Sequence, residues 1–369
     1  MIPGKRYLNI LMIAATLLLC YCTEKKEEAY SWQPSVMNDG LQVSSAKEQG
    51  MDPITISNTY EEAKKLDNIF SLLILKNRYL IAEQYFNGQS VFDASSTASV
   101  TKSIISALAG IAIKEKYITG TDQKLKDFFT EIDWESTDSR KSEITVQQML
   151  QMRSGYPWEE VYGYLETLSG SSNWIPFLSQ FPLINPPGTK FGYSNFTAHI
   201  MAIIIARSSK QSLMSFASNY LFDDMGISVP YWPADANGYY YGSGDIYMTP
   251  RSLAKFGQLY LDNGAWNDIQ IIPSEWVNAS FQIYSSSTYG REILTNIRTL
   301  KYGYLWWSGT SGSHQIWFAW GHGGQMVVLI HDLNMVVVAT ALCPSIFDPD
   351  AWPKSKAVME LVGRLITKI

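Results

Sequence analysis

The stretch TASVTKSIISALAGIAIK, residues 97–114, decides how the rest of the sequence is interpreted. From Ser99 to about Ile113 it consists of Ser, Ala, Gly, Ile and Leu with few charges. A segment that is apolar on every face predicts a helix enclosed by the rest of the protein. Lys102 lies at the start of this helix, and burying an ammonium group without a partner is costly. A lysine at this position therefore needs a partner or a function.

A serine three residues before the lysine provides one. Residues three apart share a helix face, with Cβ atoms about 5–6 Å apart, so the Lys102 amine can reach the Ser99 hydroxyl. Burial lowers a lysine pKa, which makes the neutral amine available as a base. A capping serine beside a snorkelling lysine is the structural alternative. Two further Ser-x-x-Lys pairs are expected on a polar segment and on the solvated face of an amphipathic helix. They are Ser44/Lys47 and Ser252/Lys255.

The composition indicates a large folded domain with no nucleic-acid partner. The 369 residues are 46% hydrophobic and 17% charged, the formal net charge is −5, and no Lys/Arg-rich run is present. The many aromatic residues either fill a core or line a wide apolar substrate cleft. The four histidines show no metal spacing, no glycine-rich phosphate loop follows a strand, and no Gly-x-Ser-x-Gly elbow occurs. We expect no metal and no cofactor.

The N-terminus has the pattern of an export signal. Lys5 and Arg6 precede the apolar run ILMIAATLLL, which is too short to span a bilayer as a stable helix. The run ends at Cys20, with Cys22 two residues later, and the pattern resembles a bacterial lipobox. A larger residue stands before each cysteine where a small one is usual, so an ordinary cleaved signal peptide is the alternative. Cys20 and Cys22 are the lipidation candidates.

These features divide the chain into three parts. Residues 1–22 are predicted to be a signal peptide of the lipoprotein type, and residues 23–45 a polar tether. Residues 46–369 form the folded domain. The protein is then exported to the bacterial periplasm or cell envelope and held at the membrane by a lipid anchor.

Strand patterns lie at both ends of this domain and helical patterns in the middle. A β-rich run at 69–86, broken by Lys76-Asn77-Arg78, predicts a hairpin. MTPRSLAKFGQLYLDNG, residues 248–264, predicts a well-capped amphipathic helix. The sheet is expected from about 50–95 and 305–369, with a helical middle at about 125–300.

Several ordered motifs resemble the serine β-lactamase-related family. This family includes penicillin-binding carboxypeptidases, class C β-lactamases, esterases of the same fold and 6-aminohexanoate-dimer hydrolase, and the sequence is closest to members of the last kind. The resemblance implies an α/β (α+β) fold, with an antiparallel sheet flanked by helices and an inserted, mostly helical subdomain. The motifs in chain order are SVTK (99–102), MLQMRSGY (149–156), PPGTKFGYSN (186–195), GSGDIYMTPRSLAKFGQLYLDNG (242–264) and YGYLWW (302–307).

The resemblance also implies roles for individual residues. Ser99 is the expected nucleophile and Lys102 its base. Tyr193 is expected to pass a proton to the leaving group, and Asn195 to orient Lys102 or the substrate. Turn chemistry and a helix cap would explain Tyr193 and Asn195 without catalysis.

The third family motif, usually Lys-Thr-Gly or His-Thr-Gly on an edge strand, has two possible registers here. The literal one is His322-Gly323-Gly324, and the other is Ala319-Trp320-Gly321. Counting to the following hairpin favours the second, with Gly321 as the motif glycine and the His322 backbone N–H in the oxyanion hole. The family's lysine, which meets a substrate carboxylate, is absent in both registers.

The missing cation favours an ester or a small amide as substrate. The sequence therefore predicts an exported serine hydrolase that forms an acyl-serine intermediate with a small-molecule substrate. A D-alanyl carboxypeptidase or β-lactamase is one alternative. A non-hydrolytic penicillin-binding-like sensor is the other. Tryptophans near the third motif either line the cleft or pack the sheet.

Overall fold

The structure is a computed structural model that describes residues 1, 30–286, 294–346 and 348–369. Nearly all of these residues belong to one compact unit, Ser31–Ile369. Apart from Met1, the predicted signal peptide lies outside the described residues, as do Cys20 and Cys22. In the described part of the chain, no helix has both the length and the apolar character needed to cross a membrane.

A nine-stranded sheet forms the centre of this unit. Its strand order is β1-β3-β2-β13-β12-β11-β10-β9-β8, and every neighbouring pair is antiparallel except β1 with β3. Two short two-stranded sheets pair β4 with β5 and β6 with β7. The strands are β1 Gln42–Val43, β2 Ile69–Lys76, β3 Tyr79–Tyr85, β4 Ser95–Ser96, β5 Tyr247–Met248, β6 Ala265–Trp266, β7 Ile269–Gln270, β8 Ser285–Ser286, β9 Arg298–Tyr302, β10 Trp307–Ser311, β11 His314–Gly321, β12 Gln325–Ile330 and β13 Met335–Ala341.

Helices cover the sheet and fill the middle of the chain. The first and last helices, α1 and α12, pack together on the sheet, α10 packs against β2, β12 and β13, and α2 packs against α8. The helices are α1 Pro53–Ala63, α2 Thr101–Lys114, α3 Leu125–Phe128, α4 Val146–Leu150, α5 Glu159–Tyr162, α6 Leu165–Ser169, α7 Phe177–Gln180, α8 Asn195–Ser209, α9 Leu213–Ala217, α10 Pro250–Leu261, α11 Ser274–Ser280 and α12 Ala351–Thr367.

The predicted architecture is confirmed. β2 and β3 form the hairpin expected around Asn77, and most of the helices lie between β3 and β9. All residues of β12 and β13 are buried, because helices cover both faces of the sheet. Strands in that position are expected to be continuous apolar runs.

The prediction of a polar tether does not hold for residues 31–45. Trp32 and Leu41 are buried, and the Glu83 backbone N–H donates to the Trp32 carbonyl at 2.9 Å. Gln42 and Val43 form β1 beside β3. A few apolar side chains in a polar stretch are enough to dock it on a sheet edge that has free backbone groups.

The prediction that Lys255 points to solvent is wrong. Its side chain lies in the buried helix α10, and Nζ donates to the carbonyls of Asp39, Met225 and Gly226 at 3.1, 2.8 and 2.8 Å. The sheet lies on one side of α10, and the segment around Asp39 covers the other. Carbonyl oxygens therefore satisfy this ammonium, and Ser252 instead accepts a hydrogen bond from the Thr249 hydroxyl at 2.9 Å.

Candidate active site

Ser99 and Lys102 meet at the entrance to helix α2, as their spacing predicts. The Lys102 Nζ lies 2.8 Å from the Ser99 Oγ. Ser99 is half-buried, while Lys102 is only 1% exposed. The residue before the serine, Ala98, has a φ of +45°, a left-handed conformation that is uncommon for a residue with a Cβ. The serine therefore follows a strained turn and presents its hydroxyl to the surface above a buried amine.

Two further acceptors fix the Lys102 amine. Nζ donates to the Asn195 Oδ1 at 2.8 Å and to the Ser243 carbonyl at 2.5 Å. Burial lowers the pKa of Lys102 from 10.5 to about 8, while the negative charges of Glu160, Glu159 and Asp245 oppose further lowering. A substantial fraction of this lysine is therefore neutral near physiological pH, with a lone pair available to accept the serine proton.

The Tyr193–Asn195 segment brings two of the predicted residues to the same amine. The Lys102 Nζ lies 4.9 Å from the centroid of the Tyr193 ring, and that ring stacks on Trp307 with a centroid distance of 5.5 Å. The cap of helix α8 is Ser194, whose side chain accepts the Thr197 N–H at 3.0 Å. The helix-cap alternative for Asn195 is therefore wrong, and its amide is available to orient Lys102.

A buried carboxylate that sequence reasoning missed supports this segment. Glu159 is fully buried and accepts hydrogen bonds from the Ser194 hydroxyl at 2.7 Å and from the N–H groups of Asn195 and Phe196, both at 3.0 Å. Burial raises the pKa of Glu159 from 4.5 to about 7, although these hydrogen bonds favour its charged form. The start of helix α8 also favours a negative charge. Glu159 therefore holds the backbone from which the Asn195 side chain reaches Lys102.

The end of strand β11 favours Ala319-Trp320-Gly321 as the third motif. A Cβ added at Gly321 would lie 2.4 Å from the Thr97 carbonyl oxygen, beside the serine turn. A Cβ added at Gly324 would instead lie 2.7 Å from the Cβ of Val358 in helix α12. Only Gly321 is thus required for close approach to the nucleophile segment. His322 follows it at the site, and its oxyanion role stays a prediction.

Two cavities share the Ser99 hydroxyl. One, of about 370 Å³, is the tryptophan lobe, lined by Tyr193, Trp307, Trp320 and Trp352. The other, of about 390 Å³, is the Asn195 lobe, where Trp174, Tyr241 and Cys343 also lie. The walls common to both are Ser99, Glu160, Leu165, His322 and Ile346. The serine thus stands at the junction of two spaces, each large enough for a small organic group.

The tryptophans near the third motif divide between the two roles that the sequence left open. Trp307 and Trp320 line the tryptophan lobe. Trp306 instead stacks on Phe256 at a centroid distance of 6.0 Å, and Trp317 stacks on Phe281 at 5.0 Å. Side chains on a strand alternate between the two faces of the sheet, so Trp317 and Trp320, three residues apart on β11, belong to opposite faces.

Acidic side chains line both cavities. Glu160 lines both, Asp348 lines the tryptophan lobe, and Asp245 lines the Asn195 lobe. In the described ranges, no lysine or arginine lines either lobe.

The Cys343 thiol, which lines the Asn195 lobe, is a second possible nucleophile near the site. Burial raises the pKa of this thiol to about 11. That thiol therefore stays protonated near neutral pH and does not compete with Ser99 as a nucleophile.

Comparison with known proteins identifies the family. The sequence model of the Beta-lactamase family matches residues 87–344, a range that includes Ser99, Lys102, Tyr193 and His322. The chain belongs to the Beta-lactamase family.

Individual relatives are distant. A 6-aminohexanoate-dimer hydrolase of Paenarthrobacter ureafaciens is 24% identical over 231 residues, which are 57% of this chain and 56% of that protein. The match thus spans only about half of that relative's length. Similar solved structures include a protein of Bacillus anthracis provisionally described as a 6-aminohexanoate-dimer hydrolase, with a TM-score of 0.67, 18% identity and coverage of 92% and 87% of the two chains.

Two other structures share the fold alone. An octameric penicillin-binding protein homologue of Pyrococcus abyssi has a TM-score of 0.63 at 18% identity, with 84% of this chain and 77% of that chain covered. A mutant of the simvastatin synthase of Aspergillus terreus has a TM-score of 0.63 at 13% identity, with 86% and 100% covered. The similarity therefore extends well beyond the matched sequence segment.

Proposed function

We propose that this member of the Beta-lactamase family is an exported serine hydrolase, and that it cleaves an ester or a small amide through an acyl-serine intermediate. The observation that carries the proposal is the buried Lys102 amine, 2.8 Å from the Ser99 hydroxyl, with its pKa lowered to about 8 by burial. A sensor that only binds its ligand has no need for such a base, whereas a sensor that is acylated without turnover needs it as much as a hydrolase does, so turnover is the property that separates the two.

The first half-reaction forms the acyl-serine. The neutral Lys102 amine takes the hydroxyl proton as the Ser99 oxygen bonds to the acyl carbon. The N–H groups of Ser99 and His322 stabilise the negative charge on the carbonyl oxygen. The bond to the leaving atom then breaks, Tyr193 gives that atom a proton, and the Lys102 ammonium restores the tyrosine proton.

Water completes the cycle in the reverse direction. It attacks the acyl carbon while the amine takes one of its protons, and the Ser99 oxygen leaves with a proton returned from Lys102. The products are a carboxylic acid and an alcohol or amine. No metal or cofactor takes part in these steps.

The acidic cavities favour a substrate without a carboxylate. A charge-assisted hydrogen bond from a cation contributes about 1.5–3 kcal/mol, or roughly one to two powers of ten in kcat/KM. Arg153 does not supply it, because its guanidinium donates to the carbonyls of Tyr284 and Thr189. Nitrocefin is therefore expected to be a poorer substrate than p-nitrophenyl butyrate. Nitrocefin turnover at the rate of an efficient β-lactamase would contradict the ester or small-amide proposal.

A labelling experiment separates a hydrolase from a sensor. Purified protein should react with a fluorophosphonate probe and hydrolyse p-nitrophenyl butyrate. Ser99→Ala should lose both properties, with a fall in kcat on the order of 10⁶. Ser252→Ala, the matched control, should behave as wild type. Labelling without turnover would indicate a sensor, and equal losses in the two variants would exclude Ser99 as the nucleophile.

Export and lipid anchoring rest on the N-terminal sequence pattern. Palmitate labelling of cells that express the full chain should give a labelled protein, and globomycin should block its maturation. Cys20→Ala and Cys22→Ala then identify the modified cysteine. Absence of label on the wild type would leave an ordinary cleaved signal peptide.

A further inference from the structure

We infer that the tryptophan lobe holds the leaving group of the substrate and selects one that carries a positive charge, such as a quaternary or alkyl ammonium group on an alcohol or amine. This inference rests on the proposed function and specifies its substrate class. It combines the position of the proton donor, the aromatic walls of the lobe and the charges within it.

The position of Tyr193 orients the substrate. Tyr193 lines the tryptophan lobe only, whereas Asn195 lines the other cavity only. When the bond between the acyl carbon and the leaving atom breaks, the electron pair stays on the leaving atom, which then takes a proton from Tyr193. The leaving atom must therefore face Tyr193. The rest of the leaving group extends into the tryptophan lobe, and the acyl chain occupies the Asn195 lobe.

The walls of the lobe suit a cation. The ring centroids of Trp307 and Trp320 are 5.5 Å apart, and those of Trp320 and Trp352 are 6.0 Å apart. The ring planes of the two pairs are inclined by 56° and 55°. Inclined rings form a concave aromatic wall, unlike a parallel stack. The faces of tryptophan rings attract cations, most strongly ammonium groups that have lost part of their water.

The charged side chains of the lobe also favour a cationic leaving group. Glu160 and Asp348 line the lobe, and no lysine or arginine of the described residues does. Both carboxylates repel a leaving group with a carboxylate, and both lose hydration without compensation when a neutral group fills the lobe. A cationic leaving group avoids both costs. Lys102 is not among the residues that line the lobe, and its amine is neutral when the active form of the enzyme binds the substrate.

A pair of isosteric esters tests the inference. Butyrylcholine and 3,3-dimethylbutyl butyrate have the same shape, and only the first carries a charge in its leaving group. The ratio of kcat/KM for butyrylcholine to kcat/KM for 3,3-dimethylbutyl butyrate is measured in the wild type, in Asp348→Asn and in Trp352→Leu. Because the intrinsic reactivities of the two esters do not change between variants, a change in the ratio reports on the lobe alone.

We expect each of these two variants to lower the ratio by roughly fivefold. Asp350→Asn is the matched control, because Asp350 lies two residues from Asp348 and lines neither lobe. This control should keep the wild-type ratio. A second isosteric pair, ethyl 4-(trimethylammonio)butyrate and ethyl 5,5-dimethylhexanoate, places the charge in the acyl group, and Asp348→Asn should leave its ratio unchanged.

Two results would overturn the inference while the proposed function stands. In the first, p-nitrophenyl butyrate is hydrolysed, but the kcat/KM ratio for the butyrylcholine pair stays within about twofold of the wild-type value in both Asp348→Asn and Trp352→Leu. In the second, Asp348→Asn changes the ratio for the acyl-charged pair only, which would place the acyl group in this lobe. Absence of Ser99-dependent hydrolysis of every ester would overturn the proposed function, and the inference with it.

Discussion

The pH dependence of kcat/KM gives a direct test of the buried lysine base. Burial lowers the pKa of Lys102 to about 8, and only the neutral amine accepts the Ser99 proton. The neutral fraction is then about 1% at pH 6 and half at pH 8, so kcat/KM should rise about 50-fold over this range and only about twofold above it. A lysine with its ordinary pKa of 10.5 would still give a rising profile at pH 10.

The assay uses p-nitrophenyl butyrate between pH 5 and pH 10, with Ser99→Ala as the blank for spontaneous hydrolysis. The ratio kcat/KM reports steps up to acylation and the ionisations of the free enzyme. Lys102→Met should lower kcat/KM by about 10⁴ or more and abolish the rising limb. Lys255→Met removes the other buried lysine of a Ser-x-x-Lys pair, and this control should keep the limb near pH 8.

The same ionisation affects stability, with a defined sign. The pKa of Lys102 is lower in the folded chain than in the unfolded chain, so the folded chain binds fewer protons between about pH 8 and pH 10.5. The free energy of unfolding should therefore increase with pH in this window, by at most about 3 kcal/mol. Urea unfolding of the wild type and of Lys102→Met at pH 8 and pH 10 measures this difference, which should disappear in the variant.

Two outcomes would refute the lysine-base reasoning. One is a profile of kcat/KM that is flat from pH 5 to pH 9. The other is a Lys102→Met variant that keeps the wild-type limb with only a small loss of activity. Either result would require another group to take the serine proton.

Three further predictions concern the surroundings of the site. Glu159→Gln should lower kcat/KM by roughly 10- to 100-fold. It should also move the rise of kcat/KM to lower pH, because the Glu159 charge raises the pKa of Lys102. A pH profile with its rise at the wild-type position would contradict this effect. Lys255→Met should lower the free energy of unfolding by roughly 3 kcal/mol in urea, because three carbonyls lose their donor, and unchanged stability would contradict the buried position. Gly321→Ala should lower kcat/KM by about 100-fold, since its Cβ would lie 2.4 Å from the Thr97 carbonyl oxygen; wild-type kinetics would favour the other register of the third motif.

The sequence alone determined the parts of the site that lie within one element. Ser99 and Lys102 are three residues apart on one helix, so helix geometry by itself brings the amine to the hydroxyl. The hairpin of β2 and β3 and the buried strands near the C-terminus were also readable, because alternation and continuous apolar runs are local patterns. The order of motifs in the resembled family then supplied Tyr193 and Asn195.

Tertiary structure decided everything that depends on contacts distant in the chain. Glu159 is an ordinary acidic residue in the sequence, and only the fold places it under the start of a helix that begins 36 residues later. Trp352 comes from the last helix and completes the wall of a cavity that begins at Ser99. Helix α10 has an amphipathic pattern but is buried on both sides, because the segment around Asp39 covers the face that a local pattern assigns to water. Periodicity specifies the face that packs against the core, and it contains no information on what a distant segment later covers.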